Sequence, residues 1–280
     1  MRTAFLLVYT FCTTAVFASG HGPVFGYATP TNSQGEFSLD LGLAGRNSAA
    51  GSDLSTRAML SYGFTPHLML SVVAPFALDK TAMTPSRLMA GHDFESDLTW
   101  RFHHNPTKVG TRFESTAFAG VLMPGADSSA SVMGQLKRAP GFTGGIATGM
   151  ASRSHYVWIG GAFARYLEKD RDRRPDVLSY SLVYGYRPPS WRKDSGWDWR
   201  MFAEMTGEKS NHIQHFGLAI PGTNANQLFV GPFALGITKN YAIEGGLQFP
   251  IYHDVGQLLL PRERVRWVVN FSYFLFQHSH

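Results

Sequence analysis

Phe94-Glu95-Ser96-Asp97-Leu98-Thr99-Trp100-Arg101-Phe102-His103 is the stretch on which the fold turns. Phe94, Leu98, Trp100 and Phe102 occupy alternate positions with Ser96 among them, while Glu95, Asp97, Thr99, Arg101 and His103 occupy the positions between. A spacing of two is the repeat of a β-strand, whose side chains point to opposite faces in turn. Glu95, Asp97 and Arg101 cannot enter an ordinary apolar core without partners. The arrangement suits a strand with lipid on its apolar side and a polar interior on the other.

The same division recurs along the chain. Phe37, Leu39, Leu41 and Leu43 alternate with Ser38, Asp40, Gly42 and Ala44; Phe113, Ala117, Ala119 and Val121 oppose Arg112, Glu114 and Thr116. Leu178, Tyr180, Leu182, Tyr184 and Tyr186 oppose Ser179, Ser181 and Arg187, and Trp197, Trp199, Met201 and Ala203 oppose Asp198, Arg200 and Glu204. Tyr241, Ile243, Leu247 and Phe249 oppose Glu244 and Gln248, and Val265, Trp267, Val269, Phe271, Tyr273 and Leu275 oppose Arg266, Asn270 and Ser272. With segments near 54–63, 68–76, 142–151, 155–167 and 227–237 the count reaches twelve, an even number as bacterial single-chain barrels use. In 155–167, Tyr156, Trp158 and Tyr166 compete with Val157, Ile159 and Phe163 for the outer face, so its register stays open.

Connections alternate in length. Short ones fall at 64–67, 152–154 and 238–240, with longer ones at 103–110 and 188–196; long ones occupy 75–92, 124–141, 207–226 and 252–264, with modest links at 47–53 and 168–176. Transmembrane barrels carry short periplasmic turns and longer outer loops. Phe37, Tyr62, Trp100, Phe102, Tyr186, Trp197, Trp199, Tyr241 and Tyr273 collect at the periplasmic strand ends and Trp267 at the other, as aromatic girdles would. The expected fold is all-β: a transmembrane antiparallel up-and-down β-barrel of about twelve strands. A soluble sandwich is the rival, but strands of ten residues exceed its usual length of about 5–6.

The first residues read as a secretory signal peptide: Arg2, an apolar stretch from Ala4 to Phe17, then Ala18, Ser19 and Gly20. The expected organisation is a leader over 1–20 cleaved after 18 or 20, an N-terminal periplasmic segment over 21–35, an outer-membrane barrel over 36–276, and a tail over 277–280. The single cysteine, Cys12, lies in the leader, so the exported chain has no disulfide and no thiolate site. Net charge is +5, but only 16% of residues are charged and basic residues are scattered among acidic ones, which speaks against a nucleic-acid partner. Expected partners are outer-membrane lipid and lipopolysaccharide, the barrel-assembly machinery and a small-molecule solute.

Phe25-Gly26-Tyr27-Ala28-Thr29-Pro30-Thr31-Asn32-Ser33-Gln34-Gly35-Glu36-Phe37-Ser38-Leu39-Asp40, followed by Leu60-Ser61-Tyr62-Gly63-Phe64-Thr65-Pro66-His67-Leu68-Met69-Leu70-Ser71-Val72-Val73-Ala74-Pro75-Phe76, resembles the outer-membrane family named for the MetA pathway of phenol degradation. The resemblance implies a channel for small compounds, aromatic or hydrophobic ones among them, and supplies no catalytic motif. One departure is the ending: Phe276 is followed by Gln277-His278-Ser279-His280, whereas outer-membrane barrels commonly end on an aromatic residue.

Candidate pore-lining residues are Asp40, Arg57, Glu95, Asp97, Arg101, Arg112, Glu114, Asp198, Arg200, Glu204, Glu244 and Arg266. The turn at 103–110 brings Glu95, Asp97 and Arg101 beside Arg112 and Glu114, a belt that either filters solutes by charge or plugs the lumen as a salt-bridge network. Asp198, Arg200, Glu204 and Glu244 extend it around the wall. His212, His215 and a mature N-terminal His21 are weak metal candidates, since no further ligands are indicated; no cofactor is expected. An enzyme acting at the barrel rim needs a nucleophile, base and orienting group together. The nearest approaches are His92-Asp93 and Ser154-His155, and neither completes the set.

Overall fold

Sequence alternation becomes a closed wall. The computed structural model describes residues 22–48, 51–77, 93–108, 110–125, 136–191, 196–259 and 262–275. The leader with Cys12, the His21 position, His92 and the 277–280 tail lie outside the described residues. Barrel strands are β1 (Phe37–Ser48), β2 (Gly51–Thr65), β3 (Leu68–Ala77), β4 (Asp93–Lys108), β5 (Thr111–Pro124), β6 (Gly141–Ala151), β7 (His155–Tyr166), β8 (Val177–Tyr186) and β9 (Asp198–Ser210). After a two-residue-per-strand hairpin, β10 (Gln214–His215) and β11 (Leu218–Ala219), the wall resumes with β12 (Ala225–Thr238), β13 (Tyr241–Val255) and β14 (Glu263–Leu275). Each wall strand pairs antiparallel with its chain neighbour, β9 pairs with β12 past the hairpin, and β1 closes on β14 from Phe37 opposite Leu275 to Ser48 opposite Glu263.

The wall is inverted relative to a soluble sheet. In β8, Val177, Ser179, Ser181, Val183 and Gly185 are buried and face inward, while Leu178, Tyr180, Leu182, Tyr184 and Tyr186 are exposed. Large apolar side chains face out all round the ring, among them Leu41, Trp100, Ile146, Ile159, Met201, Leu247 and Val269. Wall strands of 10 to 16 residues meet or exceed the ~9–11 that a tilted strand needs to cross a bilayer.

Two local readings change. Tyr156, Trp158, Ala162 and Ala164 of β7 point inward and Val157, Ile159 and Phe163 outward, which settles the open register. In β4 a bulge between Arg101 and His103 shifts the pairing, so His103 moves to the outer face against Phe113 and His104 takes the inner position opposite Glu114. One extra residue in a strand reverses every later side chain. Most connections at one end are short, with two residues each at 66–67, 109–110 and 239–240 and a longer one at 187–197, while those at 78–92, 125–140, 167–176 and 211–224 lie at the other end.

Ile159, 56% exposed in the middle of β7, tests the lipid-facing assignment. Ile159→Arg is expected to lower the unfolding free energy in lipid vesicles by about 2–4 kcal/mol, and Ile159→Leu to leave it nearly unchanged, by urea titration. A tolerated arginine would place that face in water.

Candidate functional site

The inner wall carries a line of small residues that makes room for more chain. Gly145, Ala147 and Gly149 of β6, Gly160, Ala162 and Ala164 of β7, and Ser179 and Ser181 of β8 all face inward. Residues 22–35, the described part of the segment expected in the periplasm over 21–35, instead lie inside the barrel as a strap against this surface. The Tyr27 N–H donates to Ser181 Oγ at 2.8 Å, the Tyr27 hydroxyl lies 2.5 Å from Ser179 Oγ, and its ring stacks on Phe118 at 6.0 Å. The Phe25 N–H donates to the Glu204 carboxylate at 3.1 Å. Thr29 is held twice: its hydroxyl donates to Glu114 at 3.4 Å and accepts from Trp158 Nε1 at 3.1 Å. At the strap's end, Gly35 N–H donates to Gly63 O and Asn32 Nδ2 to Ser38 Oγ.

Close approach is what the glycines supply. A Cβ on Gly160 would sit 2.6 Å from Tyr27 Cβ, and one on Gly63 would sit 2.1 Å from the Ser33 carbonyl oxygen. Neither position admits a side chain while the strap is seated.

Where the strap begins, it joins an apolar cluster. Val24 and Phe25 pack with Tyr156, Trp158, Val183, Phe202, Phe233, Leu235 and Phe274. Phe202 and Phe233 stack at 4.2 Å, and Trp158 lies 6.0 Å from Phe202 and 5.6 Å from Tyr156. This aromatic wall was missed by sequence reasoning, which took the interior as polar throughout; Trp158 and Phe233 sit on strands whose two faces are both apolar.

Among the described residues the charged side chains gather in several groups along the inner wall. Arg101 and Arg112 meet Glu114 at 2.9 and 3.0 Å, and His104 joins them at 2.9 Å. Glu95 and Asp97 also face inward, Asp97 lying over Gly120, higher on the wall than the Glu114 group. Asp198 binds Arg187 at 2.6 Å and Arg200 at 3.0 Å, with Arg200 above the Tyr156 ring. Glu204 holds the strap, Glu244 accepts from Asn270 Nδ2 at 2.8 Å, and Asp40 accepts from the Ser272 hydroxyl. Arg57 faces inward beside Gly42. Arg266 is fully buried over the Phe229 ring, bonded to Glu263 at 2.5 Å, Glu208 at 2.8 Å and Gln227 at 3.2 Å; Arg46 reaches Glu263 at 3.3 Å. Removing one partner from such a buried set costs about 3–5 kcal/mol, because the other charge is stranded.

At the long-loop end, Asp172 is the meeting point of three segments. Its carboxylate accepts the Lys137 N–H at 3.0 Å and the Phe216 N–H at 3.1 Å, and lies 2.7 Å from His215 Nδ1. The Lys137 N–H holds this carboxyl below its usual range, with the Phe216 N–H and His215 adding to that effect against the opposing influence of burial. His215, a metal candidate, is thus engaged with Asp172, and His212 is exposed. Nearby, Asp93 binds Arg174 at 2.7 Å. His155 Nδ1 lies 3.0 Å from the Tyr184 hydroxyl, on the outer face.

Two outcomes follow from these contacts. Gly160→Val is expected to unseat the strap while the barrel stays folded, read as faster hydrogen exchange at the Phe25 and Tyr27 amides by about tenfold or more, since one hydrogen bond is worth about 1 kcal/mol and several are lost together. The sign of the Asp172 shift gives the second. A depressed carboxyl contributes stability at and above the usual carboxylate range, near 4, and loses it only as pH falls through its lower folded value. Protection of the Lys137 and Phe216 amides is therefore expected to persist from pH 7 through about 4 and to vanish below, measured by exchange at stepped pH.

No family model matches the chain, and no curated protein matches it in sequence. Among solved structures it is similar to an outer membrane channel from Pseudomonas putida F1, with a TM-score of 0.65 at 13% identity, covering 88% of this chain and 97% of that one. It is also similar to the porin NanC, with a TM-score of 0.51 at 9% identity, covering 84% of this chain and 98% of that one. The chain shares the closed-barrel fold of these outer-membrane proteins.

Proposed function

We propose that this protein is an outer-membrane channel for small solutes, aromatic or hydrophobic compounds among them, exported through its leader and belonging to the family its first third resembles. The observation that carries the reading is the inner wall: Arg101, Arg112, Glu114, Asp198 and Arg200 face an enclosed interior behind an apolar outer surface. Charges placed this way serve a path rather than a core. The aromatic part of the reading is supported by the family resemblance of residues 25–40 and 60–76, whereas Tyr156, Trp158, Phe202 and Phe233 are packed against one another and the strap. The strap narrows the path, which favours small solutes over large ones.

Planar bilayers provide the test. The full protein is expected to give small conductance steps, and a chain lacking residues 22–33 larger ones, with aromatic solutes slowing ion flow more than aliphatic ones of equal size. Absence of conductance and of solute flux in both chains would overturn the channel, and equal block by the two solute classes would remove the aromatic preference.

A further inference from the structure

At the long-loop end the described connections do not stand apart. They are joined into one layer. Arg173 and Gln214 exchange both backbone hydrogen bonds at 2.9 Å, the Gly217 N–H donates to Arg171 O at 2.7 Å, and the Asn211 N–H donates to Asp176 O at 3.1 Å, so 167–176 and 211–217 form one surface. Farther along, the Gly256 N–H donates to Asn224 O at 2.9 Å and the Leu258 N–H to Gly222 O at 3.0 Å, which ties the layer to the β13–β14 connection. Ile213 is completely buried, with its N–H bonded to Thr223 Oγ1 at 2.9 Å, and Leu136 and Ala139 are buried from the β5–β6 side. A layer with its own buried side chains is a built element and not a set of solvated loops.

Beneath it, inward-facing residues near the ends of the strands are shut off from solvent: Ala164 at 0%, Leu122 at 3% and Ser210 at 4% exposure. In an open mouth these positions would be wetted. We infer that segments 136–140, 167–176 and 211–224 form a lid over the outer mouth and that Asp172 is its latch, the side chain through which all three are held. Lys137 reaches one carboxylate oxygen, His215 and Phe216 the other, so a single residue spans the seam. The chain gives up backbone ease to do this: Phe216 sits at φ 52° and Asp170 and Arg171 at 54° and 66°, left-handed conformations that side chains disfavour. The Asp172 contact to the Phe216 N–H holds one of them in place.

As a lid, this layer admits solute to the strapped interior when the seam opens, so the inference rests on the channel reading above. Asp172→Asn is the informative change. Both carboxylate oxygens accept N–H groups, so whichever way the new amide turns, its NH2 meets a donor. The expected results are loss of exchange protection at the Lys137 and Phe216 amides by on the order of tenfold or more, and a several-fold rise in bilayer conductance and liposome solute influx, with heat-modifiable gel migration unchanged. His215→Ala removes one of the three contacts and is expected to give the same changes in smaller degree; it serves if the Asn variant fails to fold. Unchanged amide protection would overturn the latch. Lost protection with unchanged flux, in a protein that conducts, would overturn the lid. Failure of wild type and variants alike to conduct would overturn the channel reading and the lid with it, while the exchange data still decide whether Asp172 joins the loops.

Discussion

The pairing of β1 with β14 is the contact on which everything else depends. In hydrocarbon no water is present to satisfy a strand's free N–H and C=O groups, and each unsatisfied group costs several kcal/mol, so a sheet can cross only if its edges meet. Here they meet over the full length of both strands, from Phe37 opposite Leu275 to Asn47 opposite Val265 before a register shift at Ser48. Closure fixes two faces at once. One must be apolar enough for lipid, and the other is enclosed and can hold groups that lipid would reject. The exposure of Leu41, Val269 and Phe271 and the burial of Asp40, Asn270 and Ser272 on the same two strands are two consequences of that single constraint.

Closure also creates a volume that must be dealt with. Eight-stranded barrels are filled by their own side chains and sixteen-stranded ones hold open water. A ring of twelve strands lies between them, and this chain fills the difference with itself. Small residues on β6, β7 and β8 recede and the strap takes their place, while large ones on β9 and β12 advance, Phe202 meeting Phe233 at 4.2 Å. The interior is thus part core and part polar, with the strap hydrogen-bonded to both through Trp158 and Glu204.

What was legible in the sequence follows the same physics. Strand number, direction and the inward side of Glu114, Arg200, Glu244 and Arg266 could be read because lipid enforces a period of two on one face. The strap could not. Residues 22–35 touch no lipid and carry no period, so nothing local distinguishes chain inside the barrel from chain outside it. The 155–167 register was open for a related reason: Trp158 and Tyr156 belong to an interior apolar cluster, so both faces of β7 are apolar and alternation loses its contrast. His103 was misplaced by a bulge, which costs one residue and leaves no mark in composition.

Partners were less legible than faces, and the distance between them along the chain explains why. Arg101, Arg112 and Glu114 lie on two strands joined by a tight turn, so their meeting could be read from the hairpin. Arg266 gathers Glu208 from β9 and Gln227 from β12, separated from it in sequence by 58 and 39 residues, and this depends on how far the ring curves. Curvature comes from strand number and stagger together, and stagger is a property of the closed ring and of no single strand. The charges on the inner wall are therefore sorted in two steps: alternation selects which residues face inward, and closure selects which of them touch. A charge belt drawn from alternation alone joins residues that the ring keeps apart, as with Asp97 and the Glu114 group, and misses buried sets that only closure assembles, as with Arg46, Glu263, Arg266 and Glu208.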